Sequence, residues 1–214
     1  AASTITVNTL DAEASPTTSD LKCTLRAAIV NANNDAASFP DCVGGSGSDT
    51  IKFSSGLTGS ISLVAPLPIL SDTDGISIDG SGAKVTVDGN GIVRVFEIAS
   101  SLAVTIKNLT ITKGYGTGGN IFNAGTLDLQ NSTLTDGSGP NGGAIYNASG
   151  TVTITNSTFT GNSATNGGAL FNDNGFATII NSTIYANSGG SILYNIGVRL
   201  LVKNTIVAGG GGTL

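Results

Sequence analysis

The chain has no histidine, no methionine and no tryptophan in 214 residues, and only two cysteines. Without imidazole it cannot build a histidine-dependent triad, use an imidazole general base or ligate zinc through histidine. Charge is scarce: 11% of residues are charged, 9 basic against 14 acidic, for a formal net charge of −5. A phosphate-binding surface needs clustered Lys and Arg, so DNA and RNA are not expected partners. Long apolar runs are missing as well. The longest, residues 61–70, carries Pro66 and Pro68. A spanning helix needs about 20 apolar residues, so no membrane insertion of this segment is expected. Glycine, in contrast, is abundant at 31 residues. The length fits one domain and suffices for a large core.

Cys23 and Cys42 stand 19 residues apart in a chain poor in charge and rich in small polar residues. An even count in that setting favours a disulfide and an oxidising compartment over a pair of buried thiols. In the chain-entropy model such a loop contributes about 3 kcal/mol. The opening Ala-Ala-Ser-Thr would suit a mature protein whose signal peptide has been removed.

An internal repeat organises the rest. Asn108, Asn131, Asn156, Asn181 and Asn204 recur at spacings of 23, 25, 25 and 23. Two residues before each stand Ile106, Leu129, Ile154, Ile179 and Val202, and three after stand Ile111, Leu134, Phe159, Ile184 and Val207. Apolar and polar residues alternate around each Asn, which is strand periodicity with one face buried. A second block reads Gly-Gly-Asn-Ile-Phe-Asn at 118–123 and Gly-Gly-Ala-Ile-Tyr-Asn at 142–147. It returns as Gly-Gly-Ala-Leu-Phe-Asn at 167–172 and Ser-Ile-Leu-Tyr-Asn at 191–195. A unit this short cannot bury its own apolar face, whereas stacking does so and sets like residue on like. The predicted fold is all-β: a right-handed parallel β-helix of 23–25 residues per coil, with the hand taken from crossover chirality.

Less regular strands precede the repeat at Ile51-Lys52-Phe53, Ile61-Ser62-Leu63, residues 76–80, 85–89 and 93–98. About seven coils of about 4.8 Å each would give a rod about 35 Å long. Residues 1–50 form the expected N-terminal cap, integral with the coils of 51–214 in a single domain. Within it Ile5-Thr6-Val7 reads as a strand. Residues 21–34 read as the only helix, with Leu25, Ala28, Ile29 and Ala32 on one face. The other end, at Thr205, Ile206 and Val207, has no such cover. Either the rod continues in a longer protein or something docks there; unpaired strand edges invite another chain, so this is the candidate assembly end.

The segment Cys23-Thr24-Leu25-Arg26-Ala27-Ala28-Ile29 resembles the Cys-Ser-Leu-Arg-Glu-Ala-Ile segment that opens many bacterial secreted β-helix proteins. The Gly-Gly-Ala-Ile-Tyr-Asn units and Phe159-Thr160-Gly161-Asn162 resemble the short motifs of polymorphic outer-membrane proteins. The likeness departs at Ala27, where the family usually has Glu. It implies a secreted or cell-surface right-handed β-helix, often adhesin-like, with no defined catalytic residues to transfer.

The recurrent Asn108, Asn131, Asn156, Asn181 and Asn204 are expected as an internal ladder at the corners, and Asn123, Asn147, Asn172 and Asn195 as a second ladder. Stacked side-chain amides can bond the coils above and below. Glycosylation at Asn-Ser-Thr is the competing reading of the first row. Phe122, Tyr146, Phe171 and Tyr194 align as a packed aromatic row or a sugar-stacking stripe. Thr110, Thr112, Thr133, Thr135, Thr158, Thr160 and Thr183 make a candidate outward face, resembling the flat faces of ice-binding solenoids but broken at Tyr185 and Ile206.

An enzyme on this fold would need flanking carboxylates for hydrolysis or a basic residue near bound calcium for lyase chemistry. The acidic candidates are Asp72, Asp74, Asp79, Asp88, Glu97, Asp128 and Asp136, and the basic ones Arg26, Arg94 and Arg199. Asp79 and Asp88 precede glycine as turn formers do. Asp72-Thr73-Asp74-Gly75 hints at calcium without the remaining ligands of a loop site. No catalytic residue, resident metal or cofactor is therefore assigned. The expectation is a non-catalytic extracellular β-solenoid, structural or adhesive, whose partner is itself, by end-to-end stacking head-to-tail into filaments, or a surface glycan or protein. The alternatives are a polysaccharide-binding or polysaccharide-degrading β-helix and, third, an ice-binding one.

Overall fold

A computed structural model describes residues 2–12 and 20–210. The last residues of the closing Gly-rich run, 211–214, lie outside the described residues. Among the described residues every strand pairing is parallel; Thr4–Val7 pairs with Asp49–Phe53 across the cap, and from there on each pairing joins elements about one coil apart. The longest sheet has eight strands: Thr4–Val7, Asp49–Phe53, Ile76–Asp79, Ala103–Lys107, Thr126–Gln130, Thr151–Thr155, Phe176–Ile180 and Arg199–Lys203. The seven strands from Asp49–Phe53 onward bracket six full turns, and Ile206–Ala208 belongs to the start of a seventh. A seven-stranded sheet runs from Thr58–Ser62 to Ile206–Ala208, and a five-stranded sheet from Phe96–Ile98 to Leu193–Ile196. Ser138–Asn141 and Ser163–Asn166 form a fourth, two-stranded sheet. The chain is a parallel β-solenoid.

The core follows from the alternation in each strand. Val104 stacks on Leu127, Val152 and Ala177, and Ile106 on Leu129, Ile154 and Ile179; all are buried. In the seven-stranded sheet Ile111, Leu134, Phe159 and Ile184 make the matching inner row. Removing such side chains from water is the main force that closes the coils.

The helix is shorter than the sequence suggested, Leu25–Asn33. Thr24 is its N-cap, with Oγ1 accepting the Ala27 N–H at 3.1 Å. This cap fixes where the helix begins, and Leu21 stays outside it, exposed in a left-handed conformation. Leu25, Ala28, Ile29 and Ala32 are fully buried as one face. The buried amide of Asn31 donates to the carbonyls of Phe39, Cys42 and Val43 and accepts the Phe39 N–H. It thereby holds the loop that the Cys23–Cys42 disulfide closes. Of residues 93–98 only Phe96–Ile98 is strand, because Val93 completes a turn onto the carbonyl of Gly89.

Candidate functional site

Two rows of asparagine occupy different sides of the backbone. Asn123, Asn147 and Asn172 are completely buried. Each amide donates to the next side-chain carbonyl along the axis: Asn123 to Asn147 at 2.7 Å, Asn147 to Asn172 at 2.7 Å, and Asn172 to Asn195 at 2.6 Å. The same amides reach the carbonyls of Gly125, Gly150 and Gly175. Asn195, the last rung, is exposed. Glycine is required beside this ladder: a Cβ at Gly175 would lie 2.3 Å from Nδ2 of Asn147 and 2.4 Å from the carbonyl of Gly150.

The other row is not internal, which corrects the sequence reading. Asn131, Asn156, Asn181 and Asn204 are exposed and Asn108 is half-buried. All five have positive φ, between 45° and 59°. Asparagine tolerates that left-handed region better than other side chains. It breaks the strand alternation, so the residue after it turns inward instead. Ser132, Ser157 and Ser182 are buried and link the coils. Ser132 Oγ donates to the carbonyl of Gln130 and accepts from the Leu109 N–H, and Ser157 and Ser182 repeat this pattern one and two coils on. Within the asparagine row, Asn156 donates to Asn131 at 3.3 Å.

A third ladder escaped the sequence reading. Asn120, Asn162 and Asn187 are fully buried. Asn120 donates to Asn162 at 3.1 Å, and Asn162 to Asn187 at 2.8 Å. The motif Phe159-Thr160-Gly161-Asn162 recurs 25 residues later as Ile184-Tyr185-Ala186-Asn187. That spacing was the available signal, but the preceding coil has Gly137 there and borrows Asn120 from another segment.

The threonines fall into two columns on the seven-stranded sheet. Thr110, Thr133, Thr158 and Thr183 stand in register and end on Ile206. Thr112, Thr135 and Thr160 end on Tyr185 and Ala208. Thr112 is buried and the other six are half-buried. On the five-stranded sheet Phe122, Tyr146, Phe171 and Tyr194 stack at centroid distances of 5.5, 5.1 and 4.8 Å. Arg94 lies over the Phe122 ring at 4.8 Å. The ring faces therefore meet one another along the axis. A sugar stacks on an aromatic face, and here mainly edges remain. Burial and the neighbouring Asp173, which accepts the Tyr146 hydroxyl, push that phenol up to about 12.

The acidic candidates are spread along the rod and mostly engaged. Asp79 accepts from the Ser81 N–H and the Asn108 amide and pairs with Lys107 at 3.5 Å. Burial raises its carboxyl, but the Asn108 and Ser81 donors and the Lys107 charge outweigh this and hold it below the ordinary value. Asp88 accepts from the Asn90 N–H and pairs with Lys113 at 3.2 Å. Glu97 pairs with Arg94, Asp128 accepts from Gln130, and Asp136 accepts from Thr135. Arg26 donates to the carbonyls of Ala65 and Pro66, joining the cap to the first coil. A groove of about 480 Å³ runs past Lys84, Thr86, Asn108, Thr110, Asn131 and Thr133, with no carboxylate in its lining.

The last described coil differs from those before it. Leu193–Ile196, Arg199–Lys203 and Ile206–Ala208 are the terminal strands of three sheets, each paired on one side. Ile196, Val198, Val202 and Ile206 are exposed on it, Ile206 by 64%. Thr205 is half-buried, its Oγ1 donating to the carbonyl of Lys203, and Val207 is half-buried beside the core.

Coils of short parallel strands, stacked side-chain ladders and a helical cover at one end define a β-helix protein. The match to known families is specific to that class: the family described as right handed beta helix region matches residues 67–207, and the chain belongs to it. No match was found among curated proteins or among solved structures. The fold carries enzymes as well as non-enzymes, so function has to be argued from the site.

Proposed function

We propose that this chain is a non-catalytic extracellular β-solenoid with a structural or adhesive role, and that it associates with a second copy of itself through its last coil. The observation that carries this reading is the coil itself. Among the described residues three sheets have their last strands there, each paired on one side, and four large apolar side chains, Ile196, Val198, Val202 and Ile206, are exposed around them. Unpaired edges with apolar neighbours are the surface on which further strands add. The opposite end supports association of two last coils rather than open stacking. There the helix covers the core, and Ile5 and Val7 are fully buried, so a rod docking at that end would have to displace them. The engagement of Asp79, Asp88, Glu97, Asp128 and Asp136 in turns and pairs supports the non-catalytic part. The disulfide fits an oxidising, extracellular setting.

The test is size-exclusion chromatography with light scattering over a wide concentration range, with negative-stain microscopy, on the wild type and Ile206→Lys. A mass rising to that of two chains with concentration, and lost in the variant, is the expected result. Monomers at every concentration overturn the association. Growth that Ile206→Lys leaves untouched places the contact elsewhere and overturns the last coil as the interface.

A further inference from the structure

The fold completes an acidic cluster that the sequence left unfinished. Asp72 and Asp74 belong to the turn entering Ile76–Asp79. Asp35 comes from the turn after the capping helix, where it holds a φ of 48°. One carboxylate oxygen from each of the three lies within 4.8 Å of the others. Asp35 and Asp74 are exposed, but Asp72 is only 3% exposed. Its Oδ1 accepts the Asp74 N–H at 2.8 Å, while its buried Oδ2 has no partner. A buried carboxylate oxygen without a donor is costly, and like charges beside it add to that cost.

We propose that Asp35, Asp72 and Asp74 bind a calcium ion that ties the capping helix to the first coil. The donors are all oxygens, which suits a hard cation. Two carboxylates on the exposed side leave room for the water ligands that complete a shell of about 6–8 oxygens. The ion would give Asp72 Oδ2 the partner it lacks and neutralise the three charges together. It would also reinforce a junction held on one side by Asn33, which donates to the carbonyl of Ile69 and accepts the Ser71 N–H.

The competing account is a protonated Asp72 with no ion, and the two predict different responses to calcium. In chelated protein, thermal midpoints would be followed against CaCl2, against KCl at matched ionic strength and against MgCl2, with isothermal calorimetry alongside. A saturable rise is expected with calcium, by about 5–10 °C at a hundredfold excess over Kd. Asp35→Asn and Asp74→Asn change exposed side chains, so both fold, and each should weaken calcium binding by about tenfold or more. No saturable shift and no heat at millimolar calcium overturns the proposal. So does a shift that survives unchanged in both variants, or one that KCl reproduces. An equal response to magnesium overturns the assignment of calcium.

Discussion

The first and last described coils meet the same physical problem with different chemistry. At the first coil, Ile5 and Val7 pair in register with Ile51 and Phe53, and the helix lays Leu25, Ala28 and Ile29 over them, all fully buried. At the last coil, Leu200 and Val202 occupy the same inward register as Ala177 and Ile179, yet Leu200 is half-buried and Val202 exposed. A solenoid is nearly one-dimensional, so each coil is stabilised mainly by its neighbours. The comparison teaches that stability falls toward the last coil, and that a partner there would have the most to bury.

The largest expected difference is in the core. Ile29→Ala empties a fully buried site and should cost about 2–5 kcal/mol. Ile206→Ala changes an exposed side chain and should stay within about 0.5 kcal/mol. Denaturant unfolding of the two variants measures the gap, and equal costs would break the comparison.

The asparagine ladder sharpens it within one repeated residue type. Asn147→Ala removes a buried amide bonded to both neighbouring rungs and to the Gly150 carbonyl, and leaves those groups unsatisfied. A loss of about 3 kcal/mol is expected. Asn195→Ala removes an exposed rung with one ladder neighbour, and a loss below about 1 kcal/mol is expected. Hydrogen exchange gives the same contrast without mutation: amides of Arg199–Lys203 should exchange well before those of Thr126–Gln130, since end coils open locally.

What the sequence made legible follows from this architecture. Spacings of 23–25 residues with strand alternation announce stacked coils, and residues 21–34 announce a helix with Leu25, Ala28, Ile29 and Ala32 as its buried face, though not its start at Leu25. The ladder through Asn123 was legible because its glycine and aromatic neighbours repeat with it. The row through Asn131 was legible as a row but not as a direction. A single left-handed residue shifts the alternation by one, and nothing in the local pattern marks that shift. Asn120 with Asn162, and Asp35 with Asp72, join segments whose separation is not the repeat, so only the fold brings them together.

The disulfide lets the capped end be weakened without touching the core. Its loop spans 19 residues, and opening it by Cys23→Ser with Cys42→Ser should lower stability by about 3 kcal/mol. The loss should concentrate at the cap, because only hydrogen bonds then hold the loop, chiefly those of Asn31 and of the Asp41 carboxylate to the Asp20 and Leu21 N–H groups. Denaturant titration, with hydrogen exchange at Ile5 and Val7, checks both statements. A cap that keeps its protection would show that the helix needs no covalent staple.

The smallest expected effect separates the middle of the rod from both ends. Asp79 lies in the long sheet, and its folded carboxyl is held below its ordinary 3.8. Its partners therefore stabilise the fold fully above pH 3.8, and that contribution is lost as pH falls through the lower folded value. Lys107 is about a third exposed and its pairing at 3.5 Å is loose, so most of the effect comes from the Asn108 and Ser81 donors. Asp79→Asn keeps the size of the side chain but cannot ionise. Its unfolding free energy should lie about 1 kcal/mol below wild type at pH 7, with the gap closing at the acid end. Wild-type and variant curves that stay parallel down to pH 2.5 would mean that the Asp79 charge contributes nothing, and that the turn is held by its backbone alone.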